Sequence, residues 1–359
     1  MTGSPEALDL YPLPLGIDEI TTAWLTAALR TRRPDVTVAA MNRVDVVEGT
    51  ATKILVDLTY AGPAGNLPAR MWIKGGFADH REFVGNLGVY SGEVRYFNDV
   101  APRYSLRQPR AYFAVAQDDP VQGILGLEDL RARGVSFARA TRPMTPGQAA
   151  AGLETLADLH GRTWGRHRSG PGGLRMVMDP EGEAIWQWWF NTLDQQFATP
   201  RGFAAPVALH DPVRLHAGAI AYRAIAHAGH DCVVHGDAHV GNSYLERDGT
   251  VGFVDWQTAA VGRWAHDVNY FLVSALDLPD RQAYERGLLE HYLKALATYD
   301  ITAPAPDDAW DDYRRSTVYG FLCWLCNSPD WQPEDVNTAT YARFGSAMLD
   351  HQTYAVLGV

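Results

Sequence analysis

Two regimes of hydrophobic patterning divide this chain. From Val44 to Leu127 apolar residues mostly alternate with polar ones, the period of a strand with one buried face. Val44, Val46, Ile54, Val56 and Leu58 outline a hairpin over Val44–Tyr60, with Glu48–Thr52 as its turn. A second turn over 61–66 leads to a short strand at Met71–Lys74, and Ala111–Ala116 and Gly123–Leu127 predict two more strands joined by Gln117–Pro120. One helix precedes this region and another is inserted in it. Ile17–Arg30 places Ile20, Trp24 and Ala27 or Ala28 on one face behind a capping Asp18, and Ser91 is the expected cap of a helix carrying Val94, Phe97 and Val100 and ended by Pro102.

From Pro146 onward the apolar positions recur every three or four residues. Helices are predicted at Ala149–Trp164, Ile185–Phe197, Pro212–His227, Arg281–Thr298 and Asp308–Cys326. Two strands, Ser243–Glu246 and Thr250–Val254, interrupt them. The expected fold class is α+β and bilobal: a small β-rich lobe over 1–127, a hinge near Leu127–Leu130, and a larger helical lobe over 128–359.

Composition narrows the partners. A formal charge of −11 gives little electrostatic support to a nucleic-acid or anionic-membrane partner. Met1–Leu10 lacks the basic and apolar regions of a secretory signal, and apolar runs such as Val268–Leu276 are too short to span a bilayer. Three cysteines without a signal peptide imply a reducing, cytoplasmic setting and no disulfide framework. Cys323 and Cys326 form a C-x-x-C inside an aromatic helical run. There they read as core side chains a turn apart, with no further ligands at zinc spacing. Composition does not fix the oligomeric state.

The chemistry concentrates in His235-Gly-Asp-Ala-His-Val-Gly-Asn242 and in Phe253-Val-Asp-Trp-Gln257. Asn242 follows Asp237 by five positions, and Asp255 follows it by eighteen at the end of an apolar run. Phosphoryl transfer requires one carboxylate at the substrate hydroxyl, and an amide oxygen with a second carboxylate holding Mg²⁺ against the nucleotide phosphates. Asp237 is the expected base, with Asn242 and Asp255 as metal ligands. Gly236 and Gly241 argue against a helical H-x-x-x-H zinc site, so His235 is expected to brace the loop by hydrogen bonds. Lys74 ends a strand from which an ammonium can reach the phosphates. Glu93 is its expected partner, and Glu82 the second choice. The Glu48–Thr52 turn lies where a phosphate-covering loop belongs. Its single glycine, Gly49, makes the signal weak, but its amides and the hydroxyls of Thr50 and Thr52 could meet phosphate oxygens, and an ordinary hairpin turn explains it nearly as well.

Together these residues resemble the aminoglycoside phosphotransferase and choline-kinase-like superfamily, most closely its ecdysteroid-kinase-like (CHK kinase-like) branch. Residues 235–242 are similar to the family's H-G-D-x-H-x-x-N loop, and Asp255-Trp256-Gln257 to its D-[FW]-Q segment. Gly262 to Asp267-Val268 resembles a following stretch whose Asp anchors the catalytic loop. Glu93–Phe97 resembles the E-x-x-[FY]-[FY] helix, Leu127–Leu130 the L-E-D-L hinge, and Leu156–His160 with Trp164 the supporting L-A-x-L-H helix. The resemblance implies a protein-kinase-like fold, ATP (or GTP) with Mg²⁺, and transfer to a hydroxyl of a small organic molecule such as an antibiotic, amino alcohol, sugar or sterol. It further implies that the Glu128 carbonyl and Leu130 N–H receive the purine edge, with Leu127 bordering the base. The glycine-poor loop and Ala238 depart from the family pattern.

A catalytically silent nucleotide-binding scaffold on the same fold is the rival reading. A protein kinase is disfavoured, because no A-P-E follows Asp255 and the segment up to Asp267 is too short for an activation loop. For the acceptor, the aromatic run Trp186, Trp188, Trp189 and Phe190 points to a flat or apolar molecule or to plain core packing. Asp307, Asp308, Asp311 and Asp312 point to an aminated one or to a solvated helix start.

Overall fold

In this computed structural model residues 9–167, 173–177, 183–228 and 231–359 are described. Most of the Met1–Leu10 segment therefore lies outside them. Two compact units form, one from the chain up to Arg103 with Pro109–Arg133, the other from Tyr104–Gln108 with Gly134–Val359.

The first unit is a five-stranded antiparallel sheet with helices. A 3-10 turn at Ile17–Glu19 precedes α1 (Thr22–Arg30), β1 (Val38–Val47), β2 (Thr52–Tyr60) and β3 (Arg70–Gly75). Next come α2 (Arg81–Asn86), α3 (Val89–Arg95), β4 (Ala111–Asp118) and β5 (Val121–Glu128). The spatial order is β1-β2-β3-β5-β4. Trp24, Leu25, Ala28 and Leu29 of α1 bury against Ile54, Val56, Met71, Ile73 and Phe113 of the sheet. That is the apolar face the alternation marked. Val44 and Val46 instead remain exposed on β1, an edge strand.

Two expected caps are corrected. The Thr21 hydroxyl, not Asp18, caps α1 by accepting from the Trp24 N–H at 3.1 Å, and Asp18 pairs with Arg43 at 2.7 Å. Ser91 sits inside α3, where Gly88 holds the N-cap in the left-handed region. The helix then continues as a π-turn over Tyr96–Val100 and a 3-10 turn over Ala101–Arg103. The 3-10 turn Leu130–Arg133 stays with the sheet unit, so the division falls at 133/134 where the sequence suggested 127/128.

The second unit is mainly helical. Its elements are β6 (Ser136–Phe137), α4 (Pro146–Thr163), β7 (Arg175–Met176), α5 (Glu183–Phe197) and α6 (Pro212–Ala228), then β8 (Cys232–Val234), β9 (Ser243–Leu245), β10 (Val251–Phe253) and β11 (Ala260–Gly262). The chain closes with α7 (Trp264–Ala275), α8 (Leu278–Leu296), α9 (Pro306–Cys326), α10 (Glu334–Asp350) and α11 (Thr353–Leu357). A capping box of Thr145 and Gln148 behind Pro146 starts α4. Helix α4 packs on α8, and α7 and α10 pack on α9. Tyr104–Gln108 joins this unit because Arg107 accepts the Phe253 N–H and donates to Thr250.

Every residue of α7 is buried. Two small sheets, β10-β9-β6 and β7-β11-β8, frame the segment between β8 and α7. No helix among the described residues is long and apolar enough to cross a membrane.

Candidate active site

The catalytic segment leaves β8 through Gly236, whose φ of +82° belongs to the left-handed region. A Cβ there would stand 2.2 Å from the Thr258 carbonyl oxygen, so glycine is required on both counts. The loop then closes on itself. The His239 N–H donates to the Asp237 carbonyl at 2.8 Å, and the Asn242 N–H to the His239 carbonyl at 2.9 Å. The Asn242 amide nitrogen donates to both the carbonyl and Oδ2 of Asp237 at 2.9 Å. Its donors thus committed, Asn242 keeps an amide oxygen as acceptor. The Val254 N–H donates to the Asn242 carbonyl at 2.8 Å, which brings Asp255 beside the loop with φ +67°. Asp237, Asn242 and Asp255 are therefore assembled together, as their spacing suggested.

Buried polar groups brace this loop from below. Asp267 accepts from the backbone N–H groups of His235 at 2.6 Å and Gly236 at 2.9 Å, and its Oδ2 lies 3.2 Å from His160 Nε2. Burial alone would raise the Asp267 carboxyl. The His160 hydrogen bond and nearby imidazoles outweigh it and hold the group below the usual range. His160 Nδ1 lies 2.8 Å from the Tyr292 hydroxyl. His235 accepts from the Asp237 N–H at Nδ1 and reaches the Val254 carbonyl from Nε2 at 2.9 Å. His266 Nε2 faces the Gly236 carbonyl at 3.0 Å, while its Nδ1 faces the Tyr222 hydroxyl at 2.9 Å. His235, accepting a backbone N–H at Nδ1 and reaching a carbonyl from Nε2, shows the pattern of an imidazole with its proton on Nε2. Burial pushes His239 down to about 3, and its Nδ1 accepts the Gly241 N–H at 3.1 Å. Among the described residues no group of three or more His, Cys, Asp or Glu has a metal-holding arrangement.

Asp237 is half-buried, and burial followed by the Asp255 charge pushes its carboxyl up to about 8. Hydrogen bonds from Asn242 and Tyr270 oppose the shift. A carboxyl held there is a stronger base than an ordinary one, as proton acceptance from an alcohol requires.

In the first unit Lys74 Nζ and Glu93 Oε2 form an ion pair at 2.7 Å, with side chains 4% and 2% exposed. The runner-up, Glu82, lies exposed on α2. Direct cross-strand partners point to one face, so Leu55, Trp72 and Leu127 share the face that carries Lys74. In the 48–51 loop the Tyr90 hydroxyl donates to the Thr50 carbonyl at 3.0 Å, and His80 Nε2 approaches the Gly49 carbonyl at 3.1 Å. Thr50 is half-buried, but Thr52 is the buried first residue of β2, paired with Gly75, which counts against its hydroxyl as a phosphate contact.

Glu128 ends β5, Leu127 and Leu130 are buried, and the Glu128 carboxylate accepts the Arg110 N–H at 3.1 Å. Between Glu128 and Leu130, Asp129 pairs with Arg131 at 2.8 Å, and that guanidinium lies 5.0 Å over the Trp72 ring. A groove of about 730 Å³ opens beside this segment, lined among others by Asp45, Leu55, Tyr112, Glu128 and Arg131.

Several bracing residues escaped the reading of the sequence: Tyr222, Thr258, His266, Tyr270 and Ser274, the last accepting the Val240 N–H at 2.9 Å. For His266, Tyr270 and Ser274 the one signal was polarity inside the apolar stretch that became α7. The C-x-x-C cysteines are free on α9, with Cys326 buried and Cys323 half-buried.

With this geometry in hand, comparison with known proteins is informative. Residues 131–305 match the phosphotransferase enzyme family. That stretch holds Asp237, Asn242, Asp255 and Asp267, and with it the enzyme class read from the sequence, a small-molecule kinase with a hydroxyl acceptor, is borne out. The fold resembles Plasmodium vivax ethanolamine kinase with 13% identity and a TM-score of 0.50, over 86% of this chain and 81% of that one. It also resembles a Ralstonia eutropha protein proposed to be an aminoglycoside phosphotransferase, with 12% identity and a TM-score of 0.50, over 90% and 97% of the two chains. At these identities the likeness concerns architecture, a β-sheet N-terminal region followed by a helical C-terminal region as in protein-kinase-like folds. No curated protein matches the sequence.

Proposed function

From the phosphotransferase family match, we propose that the chain transfers the γ-phosphoryl group of ATP, or of GTP, to a hydroxyl of a small organic molecule, with Asp237 as the base. The observation that carries this reading is the self-closed 235–242 loop, in which Asn242 fixes the Asp237 carboxylate and Asp255 stands alongside. Asp237 orients the acceptor hydroxyl and takes its proton as the new O–P bond forms and the bond to the leaving ADP breaks.

Asn242 and Asp255 suit Mg²⁺, a hard cation that takes oxygen ligands and commonly only one or two from the protein. The acceptor-only oxygen left on Asn242 fits that use. When bound, the cation would neutralise charge on the nucleotide phosphates. In the first unit Glu93 holds the Lys74 ammonium for the phosphates, and the Gly49–Thr50 amides stand ready for their oxygens. The groove beside Glu128 and Asp129 suits a nucleoside. The Asp255-Trp256-Gln257 form favours the ecdysteroid-kinase-like branch, and the free cysteines accord with a cytoplasmic setting.

The test is Mg²⁺-dependent ADP release across a panel of hydroxylated small molecules, with Asp237→Asn as the control. A hit that vanishes in the variant is the expected result. Mg²⁺-dependent nucleotide binding with no transfer to any acceptor would favour the scaffold reading instead.

A further inference from the structure

The acceptor side of Asp237 has a definite chemical character. The Tyr270 hydroxyl donates to Cys323 Sγ on α9 at 3.5 Å and lies close enough to Asp237 to temper the upward shift of its carboxyl. The Tyr270 and Tyr319 rings stand 5.4 Å apart, and the His239 ring meets Trp324 edge-on at 5.0 Å. One turn of α9, Tyr319 to Trp324, therefore stands against the catalytic loop. Tyr319, Cys323 and Asn327 follow one another at i, i+4 and i+8, so they share a helix face, and all three are half-buried. The two aromatic runs flagged in the sequence meet here, Trp186 lying 6.5 Å from Tyr319 and Trp188 6.5 Å from Trp331.

This face carries no charge for a cationic substrate. No residue from Ser316 to Asn327 is acidic or basic, and burial pushes the Cys323 thiol up to about 12. The acids of α9 lie in its first turns. From Asp312 to Cys323 the axis runs about 16 Å at the α-helical rise. The two nearest of them are also paired, Asp312 with Arg263 at 2.7 Å and Arg315 at 3.2 Å, and Asp311 with Arg314 at 2.5 Å. The Arg223 guanidinium lies 5.5 Å over the Trp186 ring, on a face that could otherwise attract an ammonium.

We propose that the acceptor is an uncharged alcohol with a flat or apolar body, seated along the Tyr319–Cys323 face of α9 with its hydroxyl at Asp237. This rests on the kinase reading and narrows it. The closing experiment measures Mg²⁺-ATP-dependent ADP release by the full chain with two sets of acceptors. One holds neutral ring alcohols, including a sterol; the other holds ethanolamine and an aminoglycoside. Neutral ring alcohols are expected to be turned over in preference. Tyr319→Ala should raise KM for them about five- to tenfold with kcat little changed, the size of one lost aromatic contact. Tyr319→Phe, which keeps the ring and the fold, should retain the wild-type KM. Preferred turnover of ethanolamine or the aminoglycoside, or a KM indifferent to Tyr319→Ala, would overturn the inference and leave the kinase standing. Absence of any Mg²⁺-dependent nucleotide binding by the wild type would overturn the kinase reading as well.

Discussion

The candidate residues of the two units are held in place by different means. In the second unit the loop around Asp237 rests on a network: Asp267 gathers two backbone N–H groups and His160, while His235 and His266 tie down Val254 and Gly236. In the first unit Lys74 forms a buried ion pair with Glu93, and two side chains reach the carbonyls of the 48–51 loop. A network spreads the consequence of losing one member across many groups. Loss of one member of a buried ion pair falls on the charge left behind. The difference suits the work: proton acceptance needs one carboxylate fixed in orientation, whereas phosphate binding needs a cation fixed in position.

Perturbing each set separates the two modes. The largest expected effect is on turnover: Asp237→Asn should abolish transfer, because the amide cannot accept the proton, while the fold and nucleotide binding persist. Next, Asp267→Ala strips the acceptor from three buried donors and should lower stability by at least about 4 kcal/mol, with activity lost along with the loop geometry. Chemical denaturation of wild type and variant measures it. Because the Asp267 carboxyl is held below its unfolded value, its stabilisation is full above about pH 4 and fades as pH falls through the folded value. The acid limb of the wild-type stability curve should flatten in an Asp267 variant.

Glu93→Gln should cost about 3 kcal/mol by leaving the Lys74 charge buried without its counter-ion. It should raise the KM for nucleotide more than it lowers acceptor binding, and an equal loss on both would contradict the assignment to the phosphate side. Smallest of all, Tyr90→Phe removes one neutral hydrogen bond from the 48–51 loop, worth about 1 kcal/mol. A thermal melt resolves that change. A far larger loss would mean that the loop is not held as described.

Much of this was legible in the sequence for a physical reason. Strand β2 and helices α4, α5, α6, α8 and α9 keep exposed positions beside buried ones, and that asymmetry is written locally as a period. Strands β4 and β5, buried over most of their length, were legible instead as short apolar runs between turns. Helix α7, buried throughout, was not marked. Ser91 and Asp18 are chemically suitable caps, but a helix start is decided by where the chain turns, and here Gly88 and Thr21 do the turning. The site followed the same rule. Asp237 and Asn242 share one short loop, so their spacing alone fixed their relation. Tyr270, His266 and Tyr222 arrive from other elements, and only packing could bring them to Asp237 and Gly236. The aromatic and acidic runs stood as equal hints about the acceptor. Packing separates them: the acids sit in the first turns of α9, Asp311 and Asp312 paired with arginines, whereas the aromatic run of α5 meets Tyr319 farther along α9.

The most direct measurement is single-turnover transfer from γ-labelled ATP with Mg²⁺ to an acceptor, wild type beside Asp237→Asn, with nucleotide binding followed on the same samples. The account predicts labelled acceptor from the wild type alone, and bound nucleotide in both. Labelled acceptor formed equally fast by Asp237→Asn, or a wild type that binds nucleotide and labels no acceptor, would contradict it.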